Sequence, residues 1–75
     1  MAAWFNAYDT KGNSVIVEEY PPERALVKTS EGNRKAVRIA TSTYIDANGE
    51  VYSTSQSRSI EFATPENIAW AKKNL

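Results

Sequence analysis

Alternating apolar and polar residues over residues 35–62 predict one long β-hairpin, and this is the strongest pattern in the chain. The turn falls at residues 46–49, because Asn-Gly between two β-prone runs is a strong hairpin signal. A type I turn with Gly49 in the left-handed conformation, followed by a G1 bulge, would send the chain back. The rest of the chain is interpreted around this hairpin.

The register of this hairpin has two alternatives. The bulged turn sets Ile45 opposite Val51 and Tyr44 opposite Tyr52. A two-residue I′ turn would shift the pairing by one and set Ile45 opposite Tyr52. We prefer the bulged register because it pairs apolar residues with each other.

Alternation along the two strands assigns their side chains to opposite faces. The face expected to point inward carries Val37, Ile39, Ile45 and Val51. The face expected to point outward carries Arg38, Tyr44, Tyr52 and Arg58. In the preferred register Arg38 lies opposite Arg58, so the outward face is predicted to be a basic-aromatic surface.

Residues 53–59 conflict with an unbroken strand, because they contain no apolar side chain. Beyond them, Ile60 and Phe62 have the parity of Tyr52 rather than that of Val51. Either the strand breaks here, or a bulge returns Ile60 and Phe62 to the core. We expect a bend within this Ser/Thr-rich run.

A first hairpin is predicted from residues 3–8 and 14–19, around a turn at residues 9–12 that repeats the D-x-x-G plan. Gly12 takes the role of Gly49. The same register then pairs Ala7 with Val15 and Phe5 with Val17. Trp4 lies on the opposite face, close to an edge strand, and either packs on the sheet or forms an exposed anchor.

Residues 23–29 fit either a helix or a strand. Prolines just before them suit the first turn of a helix. As a strand, the segment would turn at Gly32-Asn33 in a II′ conformation and set Leu26 opposite Ile39. We favour the strand, because Leu26 then joins the inward face already assigned to the long hairpin.

The C-terminal segment gives the clearest helix signal. Thr64 is a good N-cap, Pro65 suits the first helical position, and Lys72 and Lys73 lie where cations favour the helix dipole. One apolar stripe should dock on the sheet and comprises Ile68, Ala71 and Leu75. Trp70 lies off this stripe, so it either folds over the sheet edge or forms an exposed anchor.

Together these elements predict an α+β fold: a five-stranded antiparallel meander, able to bend into a small barrel, with one C-terminal helix packed on it. The 75 residues are expected to form a single domain, 1–75. No apolar run could span a bilayer and the N-terminus lacks the features of a secretory signal. With no cysteine present, we expect a cytoplasmic location.

The residue types argue against catalysis and metal binding. The sequence has no histidine or cysteine to act as nucleophile, proton shuttle or soft ligand. Residues 46–50 faintly resemble a calcium loop, but the EF-hand spacing of glycine and glutamate is missing. The three glycines are isolated, which excludes a phosphate-binding glycine cluster. We therefore expect no enzyme activity, no cofactor and no metal.

Charge and aromatic residues point to binding. Formal net charge is zero, yet residues 24–38 hold five cations against one anion. We expect a non-enzymatic protein-binding module, of a size typical of phage or microbial accessory proteins, acting as an inhibitor or adaptor. Its predicted contact residues are Arg38, Tyr44, Tyr52, Arg58, Trp70 and Trp4. Alternatives are a single-stranded nucleic-acid binder that uses the basic-aromatic face, and a homodimer formed through edge strands.

Overall fold

The computed structural model describes residues 3–75 and contains six strands followed by two helices. The elements are β1 (Ala3–Tyr8), β2 (Ser14–Tyr20), β3 (Arg24–Thr29), β4 (Gly32–Ala40), β5 (Thr43–Asp46), β6 (Val51–Ser53), α1 (Gln56–Phe62) and α2 (Pro65–Asn74). The strands run antiparallel in chain order around a closed barrel. The predicted α+β class and antiparallel meander are confirmed, with one more strand and one more helix than expected.

Both D-x-x-G turns have the same construction. Gly12 and Gly49 each adopt φ 87°, in the left-handed region that the predicted bulge requires. The carboxylate of Asp9 accepts hydrogen bonds from the amides two and four residues further on, at 2.9 and 2.8 Å. Asp46 does the same, at 2.9 and 3.0 Å. Each aspartate thereby holds its turn closed and fixes the register of its hairpin.

The predicted registers of these two hairpins are confirmed. The observed pairs are Ala7 with Val15, Phe5 with Val17, Ile45 with Val51 and Tyr44 with Tyr52. Matching apolar residues across the strands therefore selected the correct turn type in both hairpins.

Residues 24–29 form a strand, as favoured, but the turn that follows was predicted in the wrong place. The chain turns at Ser30 and Glu31, so Leu26 lies opposite Lys35 rather than Ile39. The Thr29 hydroxyl explains the position: it accepts from the Glu31 amide at 3.1 Å and donates to the Gly32 carbonyl at 2.7 Å.

The strand predicted to continue toward Phe62 ends at Ser53, and a helix follows. Ser55 caps α1 by accepting a hydrogen bond from the amide of Arg58 at 3.2 Å. Ile60, which the bulged alternative placed in the core, is 55% exposed, whereas Phe62 packs on a buried cluster. Of the two alternatives the break is correct, and the bulged strand is wrong because the serine cap initiates a helix.

The strands bury side chains on both faces of the sheet. The barrel interior holds Ala7, Val15, Val17, Ala25, Val27, Ala36, Tyr44 and Tyr52. A second cluster lies outside the barrel beneath α2 and comprises Ile45, Val51 and Ala71, with Ile39 packed against it. Ile45 and Val51 therefore share one face as predicted, but that face points to the helix rather than to the interior.

The C-terminal helix forms as predicted. The Thr64 hydroxyl accepts from the amide of Asn67 at 3.1 Å, Pro65 occupies the first turn, and both lysines lie in the last. Ala71 is fully buried against the sheet. Leu75, assigned to the same stripe, is 43% exposed at the end of the helix.

Candidate protein-binding surface

The outward side chains of β1 to β4 form a face of the barrel outside the two apolar clusters, and we call it the outer face. It is formed by Trp4, Asn6, Ile16, Glu18, Tyr20, Arg24, Leu26, Lys28, Asn33, Lys35 and Val37. Strand pairing sets Trp4 beside Glu18, Glu18 beside Leu26, and Leu26 beside Lys35 in one row. The regular register therefore arranges these side chains as a continuous surface.

Trp4 is held in a defined position on this face. The ammonium group of Lys28 lies 4.1 Å from the centroid of the indole ring and 3.5 Å from a carboxylate oxygen of Glu18. Trp4 is nevertheless 55% exposed, and its neighbour Ile16 is 40% exposed. A large aromatic side chain that is ordered before binding can contact a partner at little entropic cost.

An apolar groove lies at one side of the outer face, with a volume of about 430 Å³. Its lining is Tyr20, Arg24, Ala25, Lys35, Ala36, Val37, Ala47 and Leu75. Neither Arg24 nor Lys35 forms a salt bridge with any other of residues 3–75. The groove therefore combines an apolar lining with two cations available to a ligand.

Alternation along β3 and β4 divides the five cations of residues 24–38 between the two faces of the sheet. Arg24, Lys28 and Lys35 point outward, where Glu18 is the one carboxylate of the outer face. Arg34 and Arg38 have the opposite parity and line cavities at the two ends of the barrel. Because three of the five cations share one face, the outer face is basic although the whole chain is neutral.

Tyr44 and Tyr52 do not belong to any exposed surface, so their predicted outward position is wrong. They are 3% and 4% exposed inside the barrel. Their hydroxyls donate to the carboxylates of Glu19 and Asp46, each at 2.6 Å. Burial, then the hydrogen bond to the carboxylate, raises the pKa of both tyrosines. Each tyrosine is enclosed because its polar tip has a partner there.

Arg58 is also not where the sequence placed it, since it lies on α1 and not opposite Arg38. Its guanidinium stacks over Phe62 at 5.1 Å and donates to the Thr41 carbonyl at 3.0 Å. Arg38 pairs across the sheet with Tyr44 and lies 3.6 Å from a carboxylate oxygen of Glu23. The predicted basic-aromatic surface of Arg38, Tyr44, Tyr52 and Arg58 therefore does not form.

Trp70 is 45% exposed on α2, away from the buried Ala71. It does not fold fully over the sheet, but its role in binding stays a prediction. Trp4 and Trp70 belong to different layers of the molecule, the barrel wall and the covering helix. Among the predicted contact residues, Trp4 is the one on the outer face.

A second cavity, of about 340 Å³, lies at the barrel end that carries the two D-x-x-G turns. It is lined by polar groups, among them Asp9, Asp46, Glu50 and Arg34. The aspartates are used by their own turns, and Glu50 accepts from the Thr10 hydroxyl at 2.9 Å. Among residues 3–75, no cluster of three or more potential metal-ligating side chains is present.

Comparisons with family models, curated proteins and solved structures give no match for this chain. Within residues 3–75, neither helix has the length and apolar character needed to cross a lipid bilayer. The sequence alone could not reveal the groove, because Tyr20, Ala47 and Leu75 converge only in the folded chain. The cation-rich stretch, residues 24–38, was the one feature of the sequence that pointed to this surface.

Proposed function

We propose that this chain is a non-enzymatic protein-binding module whose outer face docks an acidic segment of a partner protein. The observation that supports this most directly is the apolar groove with Arg24 and Lys35 on its lining. An apolar side chain of the partner would enter the groove, and carboxylates beside it would pair with the two cations. Complementary charge favours fast association and selects against basic partners.

The Trp4 cluster extends the same contact. Trp4 is an exposed residue of a type enriched among binding hot spots, and Lys28 fixes its orientation. Leu26 lies between this cluster and the groove, because it is paired with Lys35 and adjacent in the sheet to Glu18. One extended acidic segment could therefore contact Trp4, Leu26 and the groove together.

Single-stranded nucleic acid is the competing ligand class. The stacking platform expected for it consisted of Tyr44 and Tyr52, whose rings are enclosed in the barrel. Two exposed rings remain on the outer face, those of Trp4 and Tyr20, and Tyr20 lines the apolar groove, which suits an apolar side chain of a protein. We therefore favour a protein partner, in the cytoplasm, over a nucleic acid.

The test is affinity capture from a lysate of the source cells, with and without nuclease. The wild-type chain should retain a stoichiometric protein after nuclease treatment, and added salt should weaken retention. Lys35→Glu should weaken binding of the captured partner at least tenfold. Lys11→Glu is the matched control, because Lys11 is exposed on the β1–β2 turn, and it should bind as the wild type does.

Three outcomes would contradict the proposal. One is capture of nucleic acid that disappears with nuclease and leaves no protein. Another is equal loss of binding in Lys35→Glu and Lys11→Glu, which would point to net charge rather than to the outer face. The third is binding that is unaffected by Lys35→Glu.

A further inference from the structure

Within the described residues 3–75, closure of the barrel between β1 and β6 rests on a single residue pair, Tyr8 with Ser53. On its other side β1 pairs with β2 over its whole length, from Ala3 to Tyr8. The chain leaves the sheet after Ser53 and enters α1, so β6 does not continue along β1. Residues 3–7 therefore form a strand edge that no other strand within residues 3–75 covers.

The main-chain groups at this edge can be identified from the first hairpin. The amide of Asp9 donates to the carbonyl of Asn13, so Asp9 faces β2. Main-chain direction alternates along a strand, so Tyr8, Asn6 and Trp4 face away from β2. The Tyr8 carbonyl confirms this direction, because it accepts a hydrogen bond from the Ser59 hydroxyl of α1.

Trp4 and Asn6 do not take part in the contact between α1 and β1, which is made by Ser59 and Tyr8. Outside the strand ladders, no main-chain hydrogen bond within residues 3–75 involves either residue. Both side chains are exposed. Their N–H and C=O groups thus form a short row of donors and acceptors along an open edge.

We propose that this edge of β1 pairs with β1 of a second copy of the same chain, forming a symmetric antiparallel dimer. With Phe5 facing Phe5 of the second copy at the two-fold axis, Trp4 lies opposite the other Asn6 and exchanges both main-chain hydrogen bonds with it. The spacing of two residues between Trp4 and Asn6 makes the edge complementary to itself.

Composition favours a second copy as the occupant. β1 reads AWFNAY and contains no charged residue and no proline, the usual means of preventing edge pairing. The whole chain has zero formal charge, so two copies do not repel each other. Phe5 is half-buried and packs on the interior cluster, and the dimer would cover its remaining exposed surface.

This dimer is independent of the proposed function. Edge pairing occurs within the plane of the sheet, whereas the Trp4 side chain stands roughly perpendicular to it. The contact area is small compared with a standard interface, so association should be weak. Two outer faces would be joined into one wider sheet surface.

The test is sedimentation velocity and light scattering of the full chain from micromolar to millimolar concentration. The weight-average mass should rise toward twice the mass of one chain. Asn6→Pro should abolish the rise, because it removes an N–H at the open edge without removing a bond to β2. Asn6→Ala keeps that N–H and should associate as the wild type does.

Hydrogen exchange provides the second measurement and does not depend on how well Asn6→Pro folds. In the wild type, exchange at the amides of Trp4 and Asn6 should slow as concentration rises. The amides of Phe5 and Ala7 face β2 and should be protected at every concentration. A strict monomer at millimolar concentration, or equal association of Asn6→Pro and Asn6→Ala, would overturn the proposal.

Discussion

Tyr44 and Tyr52 show how one polar atom helps decide which side of a strand is interior. Each ring fills the barrel while its hydroxyl reaches a carboxylate at 2.6 Å. The sequence predicted correctly that both lie on the face opposite Ile45, but not which face the barrel encloses. Both faces carry large apolar groups, so alternation alone could not choose between them.

The buried tyrosines should make the stability of the folded chain decrease with rising pH in the alkaline range. Their pKa is raised on folding, chiefly by burial, so the folded chain holds these protons more tightly than the unfolded chain does. The ordinary tyrosine pKa is about 10, so their contribution is constant below that pH and is lost as the pH rises above it.

This prediction is checked by urea denaturation at a series of alkaline pH values, with phenolate absorbance recorded in parallel. The free energy of unfolding should fall above the ordinary tyrosine pKa, and the fall should be less steep in Tyr44→Phe and in Tyr52→Phe. A wild-type stability that does not change across this range, or an unchanged slope in both variants, would contradict it.

Among the individual elements, those with local signals were predictable. An aspartate and a glycine define each hairpin turn, and a threonine followed by proline defines the start of α2. The β3–β4 turn and α1 were not predictable, because each depends on one hydroxyl, that of Thr29 or of Ser55. In the sequence such hydroxyls look like any other serine or threonine.

The two turn glycines share one backbone conformation but have different surroundings. A Cβ on Gly49 would lie 2.7 Å from Cγ2 of Ile68, on the docked helix. A Cβ on Gly12 would lie 3.1 Å from the side-chain oxygen of Gln56, which is exposed and can move. The β5–β6 turn is therefore also a packing contact for α2.

Gly12→Ala should lower the free energy of unfolding by about 1–2 kcal/mol, the cost of a left-handed alanine. Gly49→Ala should cost about 1–3 kcal/mol more, because the added methyl group displaces Ile68 and with it α2. Urea denaturation of both variants measures the difference. Equal losses would mean that α2 tolerates the methyl group without shifting.

For the whole molecule, the main feature is a sheet with a filled interior and a helix on its outside. Ile45 and Val51 are fully buried although they point away from the barrel interior, because α2 covers them. The sequence predicted that the C-terminal helix docks on the sheet, and Ala71 confirms it. It did not reveal that this docking forms a second core, since that depends on closure of the barrel.

Two alanines of α2, one buried and one exposed, provide a test of the second core. Ala71 is fully buried in it, whereas Ala69 is exposed two residues earlier. Ala71→Glu should destabilise the chain by about 3 kcal/mol or more, because it forces an unpaired charge against Ile45 and Val51. Ala69→Glu should change stability by about 0.5 kcal/mol or less, because glutamate is a good helix former on a solvated face.

Thermal and urea unfolding of the two alanine variants, with dye binding to report exposed apolar surface, measure this difference. The Ala71→Glu chain should bind the dye, and the Ala69→Glu chain should not. Similar stability in both would mean that the helix contributes little to holding the barrel.

The candidate protein-binding surface could be predicted from the sequence only in part. The cation-rich stretch was visible in the sequence, and Trp4 was recognised as either a packed residue or an exposed anchor. The distribution of the cations between the outer face and the barrel ends was not visible, because it depends on the β3–β4 register. The groove depends on Tyr20 and Leu75 meeting across the fold. Contacts between such distant positions leave no periodic signal.

Alternation along β2 and β3 places the residues of the outer face and the residues of the interior core at different sequence positions. Ile16, Leu26 and Lys28 belong to neither buried cluster, while their immediate neighbours Val15, Val17 and Val27 all do. Substitutions at the outward positions can therefore accumulate without disturbing the interior. Descendants of this chain could change partners while keeping the same barrel, and a library randomised at those positions would serve as a scaffold for selecting new binders.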